Sequence, residues 1–259
     1  MSLSDLQQST RALFSAAERL ELHPKWITPW GLMSVQIHGI EKYLFMSKSL
    51  VNTQMAAYLS ANKYATRTIL GLHNLPNIPY AAPSNLAELQ TFFDQHHPIV
   101  TKPTMGQHAE GVRLIKSASE LANTPLSGQI FEKYIPGREL RYLVLQNRII
   151  AVQEKVFTGE MYHPDGSRRI SFPAEQWDAE LSRISLKAAN ILGLGFCAVD
   201  FKQGKLEHDG GSKWYVLEIN SAPSLWRFEK PEEGPAVQVS ELLLKETIAE
   251  VQRSIPQNS

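Results

Sequence analysis

Cysteine is almost missing. Cys197 stands alone in 259 residues, so no internal disulfide can form and the disulfide-stapled secreted scaffolds are excluded. Neither sign of charge is in excess, with 26 lysines and arginines against 26 aspartates and glutamates. That balance leaves no global field for nucleic acid or an anionic membrane, and an anionic ligand would have to be held by a local pocket. No apolar run reaches the ~20 residues of a membrane span, and the opening stretch MSLSDLQQSTRALFSAAERL lacks the basic-then-apolar order of a secretory signal. The expectation is a cytoplasmic protein without membrane or nucleic-acid partners. No GxxxxGK[ST] occurs, and Gly193-x-Gly195 has no third spaced glycine. A P-loop is thereby excluded, and no dinucleotide fingerprint is left.

What is present is an ordinary globular composition, 43% hydrophobic and 20% charged, without repeats or low-complexity tracts. Residues 4–22 place Leu6, Leu13, Phe14, Ala17 and Leu20 at helical spacing. The stretches 25-KWITPW-30, 34-SVQIH-38 and 42-KYLF-45 read as short strands of a leading module, broken by Pro29, Gly31 and Gly39. Residues 49–73 are helical with a break near Asn62, and LPNIPYAAPS is a proline-rich connector. A helix over 85–96 precedes the strands 98-PIVTKP-103 and 111-GVRLIK-116. The segments 129-QIFEKYI-135, 139-ELRYLVL-145 and 149-IIAVQEKVF-157 predict an antiparallel meander, followed by an excursion or lid-like loop over 158–173. A helix over 175–192 stops at Gly193, GFCAVDF and WYVLEIN pair around the hairpin QGKLEHDGGSK, and a helix over 237–251 closes the chain. Cys197, inside GFCAVDF, is not expected to be a catalytic thiol.

Chemistry concentrates at strand ends. Alternate side chains of a strand share a face, so Glu218 and Asn220 point the same way from a segment whose Val216, Leu217 and Ile219 belong to a core. Hairpin pairing brings Asp200 to them, giving three hard oxygen donors at a solvent-facing site. Magnesium suits such a set, because it takes oxygen ligands and completes its shell with water or phosphate. A carboxylate pair at an exposed sheet edge is the plain alternative, and it requires neither Asn220 nor the tight turn that follows. Lys102 stands on an apolar strand, where an ammonium needs a partner unless it snorkels from an edge. The loop 104-TMGQHAEGV-112 is either a plain hairpin loop or a phosphate cradle, with Gly106 and Gly111 as flexible points. In 131-FEKYIPGRE-139 a strand, a bend and two acids suit an adenine edge paired with the backbone of Lys133, Tyr134 and Ile135. Glu132 would take the exocyclic amine and Glu139 the ribose hydroxyls. A strand–turn–strand alone accounts for Pro136 and Gly137, but not for the acids that bracket them.

In this order and spacing the motifs make the chain resemble an ATP-grasp protein, of the carboxylate–amine ligase type that adds glutamate, synthesises cyanophycin or forms part of bifunctional glutathione synthetases. The resemblance runs from about residue 47 to the final helix. It implies an α+β ATP-grasp fold, with two α/β lobes holding ATP between antiparallel sheets, plus a short N-terminal α/β module. The implied division is 1–46 for the module and 47–259 for the ATP-grasp domain, within which roughly 61–134 form the nucleotide-closing lobe and 135–259 the metal-binding and catalytic lobe. Lys63 then falls on the family's first phosphate-contacting lysine and Lys102 on the second. TMGQHAEGV falls on the mobile glycine loop, FEKYIPGRE on the adenine hinge with its ribose acid, and Asp200, Glu218 and Asn220 on the magnesium ligands. The implied cofactors are ATP and one or two Mg2+ ions, with Mn2+ as an admissible substitute. Two departures stand out: NSAPSL puts Ser224 where the family commonly has glycine, and MYHPDGSRRISF replaces a basic, asparagine-bearing segment.

The activity so implied joins an acid to an amine through an acyl phosphate, forming an amide or peptide bond on an amino acid or short peptide. Phosphoryl transfer needs positioning and charge neutralisation rather than a nucleophilic side chain. Arg141 is the first candidate to hold a substrate carboxylate or the transferring phosphoryl, followed by Arg227 and by Arg168 or Arg169, with surface solvation expected for at least one of the last two. The implied partners are a small-molecule or peptide carboxylate and an amine, and a homo-oligomer is compatible with them. Two other readings keep the ATP site: a kinase of a small acceptor, and an inactive ATP-binding partner protein.

Overall fold

The computed structural model describes residues 3–29, 31–106, 111–157, 159, 167–205 and 211–255. The middle of the glycine loop (107–110), most of the segment 158–166 and the hairpin tip 206–210 lie outside the described residues.

The first amphipathic stretch forms α1 (Leu3–Arg19), and β1 (Lys25–Thr28), β2 (Leu32–Ile37) and β3 (Ile40–Phe45) make a small antiparallel sheet. Helices α2 (Gln54–Ala61) and α3 (Lys63–Leu72) meet at the expected break. There the Asn62 side chain accepts the Ala65 N–H at 2.9 Å and starts the second helix. Lys63 is thereby fixed in the first turn of α3.

A four-stranded sheet follows, in the order β4-β7-β5-β6, made of β4 (Tyr80–Ala81), β5 (Ile99–Pro103), β6 (Arg113–Ile115) and β7 (Gln129–Lys133). Its Ile99, Ile115 and Phe131 pack on Leu89, Phe92 and Phe93 of α4 (Leu86–His96) and on Leu121 of α5 (Ala118–Leu121). Strand alternation therefore turns Lys102 and Glu132 to the other face.

The second large sheet has the order β10-β9-β8-β11-β12, built from β8 (Glu139–Leu145), β9 (Arg148–Phe157), β10 (Ser167–Phe172), β11 (Phe196–Lys205) and β12 (Ser212–Asn220). Helix α6 (Ala179–Leu192) covers one face, packing Leu181, Ile184 and Ala188 on Tyr142, Val199 and Phe201. It ends at Gly193 with φ 75°, the left-handed stop the sequence announced. On the opposite face, Leu143, Leu145, Phe196 and Ala198 are covered by α1, β2 and α8 (Val239–Ser254) through Leu13, Ala17, Val35 and Leu243. The leading segment thus shares a core with this sheet.

Two expectations are corrected. The meander is β8-β9-β10, because residues 167–172 of the expected excursion pair with β9 as an edge strand. The segment over 129–135 instead leaves for the other sheet as β7, and Pro136-Gly137 is the crossing between sheets. Gly137 has φ 112°, and a Cβ there would come within 2.3 Å of the Gln203 carbonyl oxygen, so only glycine lets the crossing lie against β11.

Candidate functional site

The face of the large sheet that carries the α1/α8 core at one end is polar at the other. Cross-strand register lines up Ser171, Gln153, Arg141, Asp200 and Glu218 in one row. In the next row Arg169 pairs with Lys155 and Glu139 with Lys202. Asp200 is fully buried, contrary to the solvent-facing position expected of it: the neighbouring strands close over it and give it two cations. Arg141 grips it in a fork, Nε to Oδ1 and Nη2 to Oδ2, both at 2.6 Å, and Lys155 Nζ reaches Oδ2 at 2.5 Å. Burial penalises both charges, but their mutual attraction wins. Asp200 is held well below the usual carboxylate range and Arg141 is raised. Glu139, placed by the sequence at a ribose, has its oxygens on Lys155 at 2.5 Å and Lys202 at 3.4 Å.

Glu218 is different. Its side chain is 44% exposed at the mouth of this cluster, with Arg141 Nη2 at 3.6 Å. Desolvation by the surrounding cleft and the facing Asp200 charge push its carboxyl up. Its direction depends on a bulge. Asp200 pairs with Glu218 but Phe201 with Val216, so Leu217 is an extra residue on β12. Val216 can then sit in the α6 core while Glu218, two residues on, faces the cleft. Asn220 Oδ1 accepts the Ala222 N–H at 2.9 Å and closes the turn. Ser224 does not occupy the left-handed region, so serine is tolerated where a glycine was expected. Ser9 of α1 supports that turn by accepting the Leu225 N–H at 3.0 Å.

The smaller sheet supplies the opposing wall. Lys63 Nζ donates to the Gly106 carbonyl at 3.0 Å. Desolvation and the neighbouring Lys102 charge lower its pKa against the pull of Glu218 and Glu132. Lys102 Nζ lies 2.7 Å from Glu132 Oε2, and Glu132 Oε1 receives Arg67 Nε at 2.8 Å. Burial would raise this carboxyl, but the Arg67 and Lys102 charges hold it at about 2. Glu132 is therefore a buried counter-ion here, not an acid turned to a ligand. In the hinge, the Lys133 and Tyr134 N–H groups bond to the Pro79 and Pro98 carbonyls, and Ile135 is buried. Gly111 bounds the far end of the loop with φ 71°.

The structure does not bring all the candidates to the metal end. Arg227, on α7 (Trp226–Glu229), lies over the Trp226 ring and reaches the Ser167 carbonyl at 3.4 Å. Arg168 is exposed and paired with Glu233, whereas Arg169 is buried. Cys197 is buried and its thiol is pushed up by burial, as befits a core residue. The sequence reading missed Arg67, Lys155, Lys202 and Gln153. Period-two spacing could have found Gln153 and Lys155, which share a strand face with Ala151. Helical spacing could have found Arg67, which shares the buried stripe of α3 with Thr66 and Leu70.

Residues 61–239, which carry both of these walls, match the RimK-like ATP-grasp domain. The chain belongs to that family. Among its relatives, tetrahydromethanopterin:alpha-L-glutamate ligase of Methanocaldococcus jannaschii is 26% identical over 221 residues, 80% of this chain and 72% of that protein. A D-alanine--D-alanine ligase of Cereibacter sphaeroides is 29% identical over 184 residues, 66% of this chain and 59% of that one. A bifunctional glutathione synthetase from Pasteurella multocida shares the fold at TM-score 0.67 and 13% identity, over 93% of this chain but only 43% of its own. The expected mixture of helices with antiparallel sheets is thus the ATP-grasp fold. No helix among the described residues is long and apolar enough to cross a membrane.

Of the three expected donors Glu218 is the one open to a ligand, since the Asp200 oxygens are held by Arg141 and Lys155 and Asn220 Oδ1 accepts the Ala222 N–H. Asp200 and Glu218 face each other across β11 and β12 with the Asn220 amide beyond, and Glu218 opens to the cleft. No group of three His, Cys, Asp or Glu able to hold a metal occurs among the described residues. One open carboxylate beside a buried one is at most a partial shell, the kind that phosphate oxygens and water complete.

Proposed function

We propose that this ATP-grasp protein is an ATP-dependent carboxylate–amine ligase acting on an amino acid or short peptide. The observation that carries the reading is the meeting of two walls: Arg67 bonds Glu132, the partner of Lys102, on one side and the Val216 and Leu217 carbonyls next to Glu218 on the other. Cations on one wall and carboxylates on the other match a triphosphate lying between them. Lys63 and Lys102 neutralise phosphate oxygens, while the hinge backbone from Lys133 to Ile135 positions the base. Glu218 would hold Mg2+, with Asp200 and Asn220 beside it, and the ion would supply charge neutralisation to the phosphates. Arg141, already in a fork on Asp200, keeps that acid ionised and stands beside the transferring group.

The division into a module (1–46), a closing lobe (about 61–134) and a catalytic lobe (135–259) belongs to the same reading, and so does a cytoplasmic location. A panel of acids and amines tests it. ADP and phosphate release should require both, and hydroxylamine in place of the amine should give a hydroxamate. A stable phosphorylated product, equimolar with ADP and indifferent to hydroxylamine, would move the protein to the kinases.

A further inference from the structure

Arg67 sits on α3, outside any motif, yet it is 2% exposed and every nitrogen of its guanidinium is used. Nε meets Glu132 Oε1 at 2.8 Å. Nη1 donates to the Val216 carbonyl at 2.6 Å and to Asn77 Oδ1 at 3.2 Å, and Nη2 donates to the Leu217 carbonyl at 2.6 Å. Asn77 returns a bond from Nδ2 to the Arg67 carbonyl at 2.7 Å, and the Val216 N–H bonds to the Pro76 carbonyl at 3.0 Å. Two facts give these contacts meaning. Glu132 passes the connection on to Lys102 at 2.7 Å. Leu217 is the bulge residue whose insertion turns Glu218 toward the cleft, and β12 is an edge strand there.

We infer that Arg67 is the positioning residue that sets the phosphate-facing lysine and the metal-facing glutamate at a fixed separation, through Glu132 to Lys102 and through the bulge carbonyls to Glu218. The inference rests on the ATP-site reading above. A bulge is a local irregularity whose carbonyls lack the regular ladder partner, and a planar fork with five fixed donors can hold two such carbonyls and a carboxylate together. Lysine can reach one of these targets but not all three. Each arm therefore has its own readout: losing the Glu132 arm frees Lys102 and weakens nucleotide binding, and losing the carbonyl arm lets the bulge relax and raises the magnesium concentration required.

The test is calorimetric titration of the full chain with a non-hydrolysable ATP analogue at several Mg2+ concentrations, alongside ligand-free melting. Arg67→Met should weaken binding about 10- to 100-fold and shift the Mg2+ dependence upward, the range seen when an outer partner of a metal site is lost. Arg67→Lys should recover most of the affinity at saturating Mg2+ but keep the shifted Mg2+ dependence. Glu132→Gln should weaken binding with the Mg2+ dependence unchanged. Combining Arg67→Met with Glu218→Gln should cost less than the sum of the two, since both act on one ligand. If Arg67→Met does not fold, Arg67→Lys and Asn77→Ala carry the comparison. A lower melting temperature with both affinity and Mg2+ dependence within twofold of wild type makes Arg67 a packing residue only and overturns the inference. Wild-type protein that binds no analogue overturns the ATP-site reading itself, a separate and recognisable result.

Discussion

The two charged clusters that face each other across the cleft are built on opposite plans. On the closing wall a single acid, Glu132, is enclosed between Arg67 and Lys102, with side-chain exposures of 2%, 2% and 8%. Its charge is satisfied from both sides, and with Lys63 added the wall carries surplus cation. On the large sheet Asp200 and Glu218 face each other, and the buried acids Asp200 and Glu139 are gripped by cations of neighbouring strands. Glu218 keeps an open side and an upward-pushed carboxyl. The first cluster is a completed lock, and its ionised acid is part of what holds the lobe together. The second is complete only where it is buried, and its exposed end has room for another cation. A binding site and a structural strut can thus be told apart by which acid lacks a dedicated partner, rather than by how many charges are present.

Removing the buried acid is the severest way to break this contrast. Asp200→Ala takes from Arg141 the carboxylate it forks and from Lys155 one of its two acids in a closed interior, so it should cost ~3–5 kcal/mol, lowering the melting temperature by roughly 6–20 °C in a thermal scan. Glu218→Gln should do the reverse, leaving the melting temperature unchanged or slightly raised while turnover falls about 10²–10³-fold. A Glu218→Gln protein that melted like Asp200→Ala would erase the distinction. Glu132 sharpens it through pH. Its carboxyl is depressed from 4.5 to about 2, so its contribution is fully present above pH 4.5 and is lost as pH falls toward 2. At ~1.4 kcal/mol per pKa unit that linkage is on the order of 3 kcal/mol. Urea denaturation across this window should show a steep decline in wild type and a flatter one in Glu132→Gln. The smallest effect belongs to Arg168→Ala, whose exposed pair with Glu233 should be worth less than ~1 kcal/mol and leave ligand binding intact.

Much of this was legible in the chain. Asn62 as a helix start, Gly193 as a helix stop and the pairing of Asp200 with Glu218 were readable because each depends on neighbours in sequence or on a single hairpin. The destination of residues 129–135 was not, because a strand followed by Pro-Gly looks the same whether the chain folds back or crosses to another sheet. Lys155 and Lys202 escaped for a related reason, since the Glu139 they share is brought to them by strand pairing far along the chain.

By itself the sequence determined the local periodicities, the turns and the set of donors that a nucleotide and its metal would need, since these follow from residue type and spacing. Only the tertiary structure decided how those donors are shared. Glu132 and Glu139 became counter-ions because lysines from other strands arrived beside them. Glu218 alone stayed open to the cleft, because one inserted residue on β12 turned it there, and Arg67 bonds the carbonyls of that bulge from α3. Charge partners at such separations are set by packing, and no spacing within the chain encodes them.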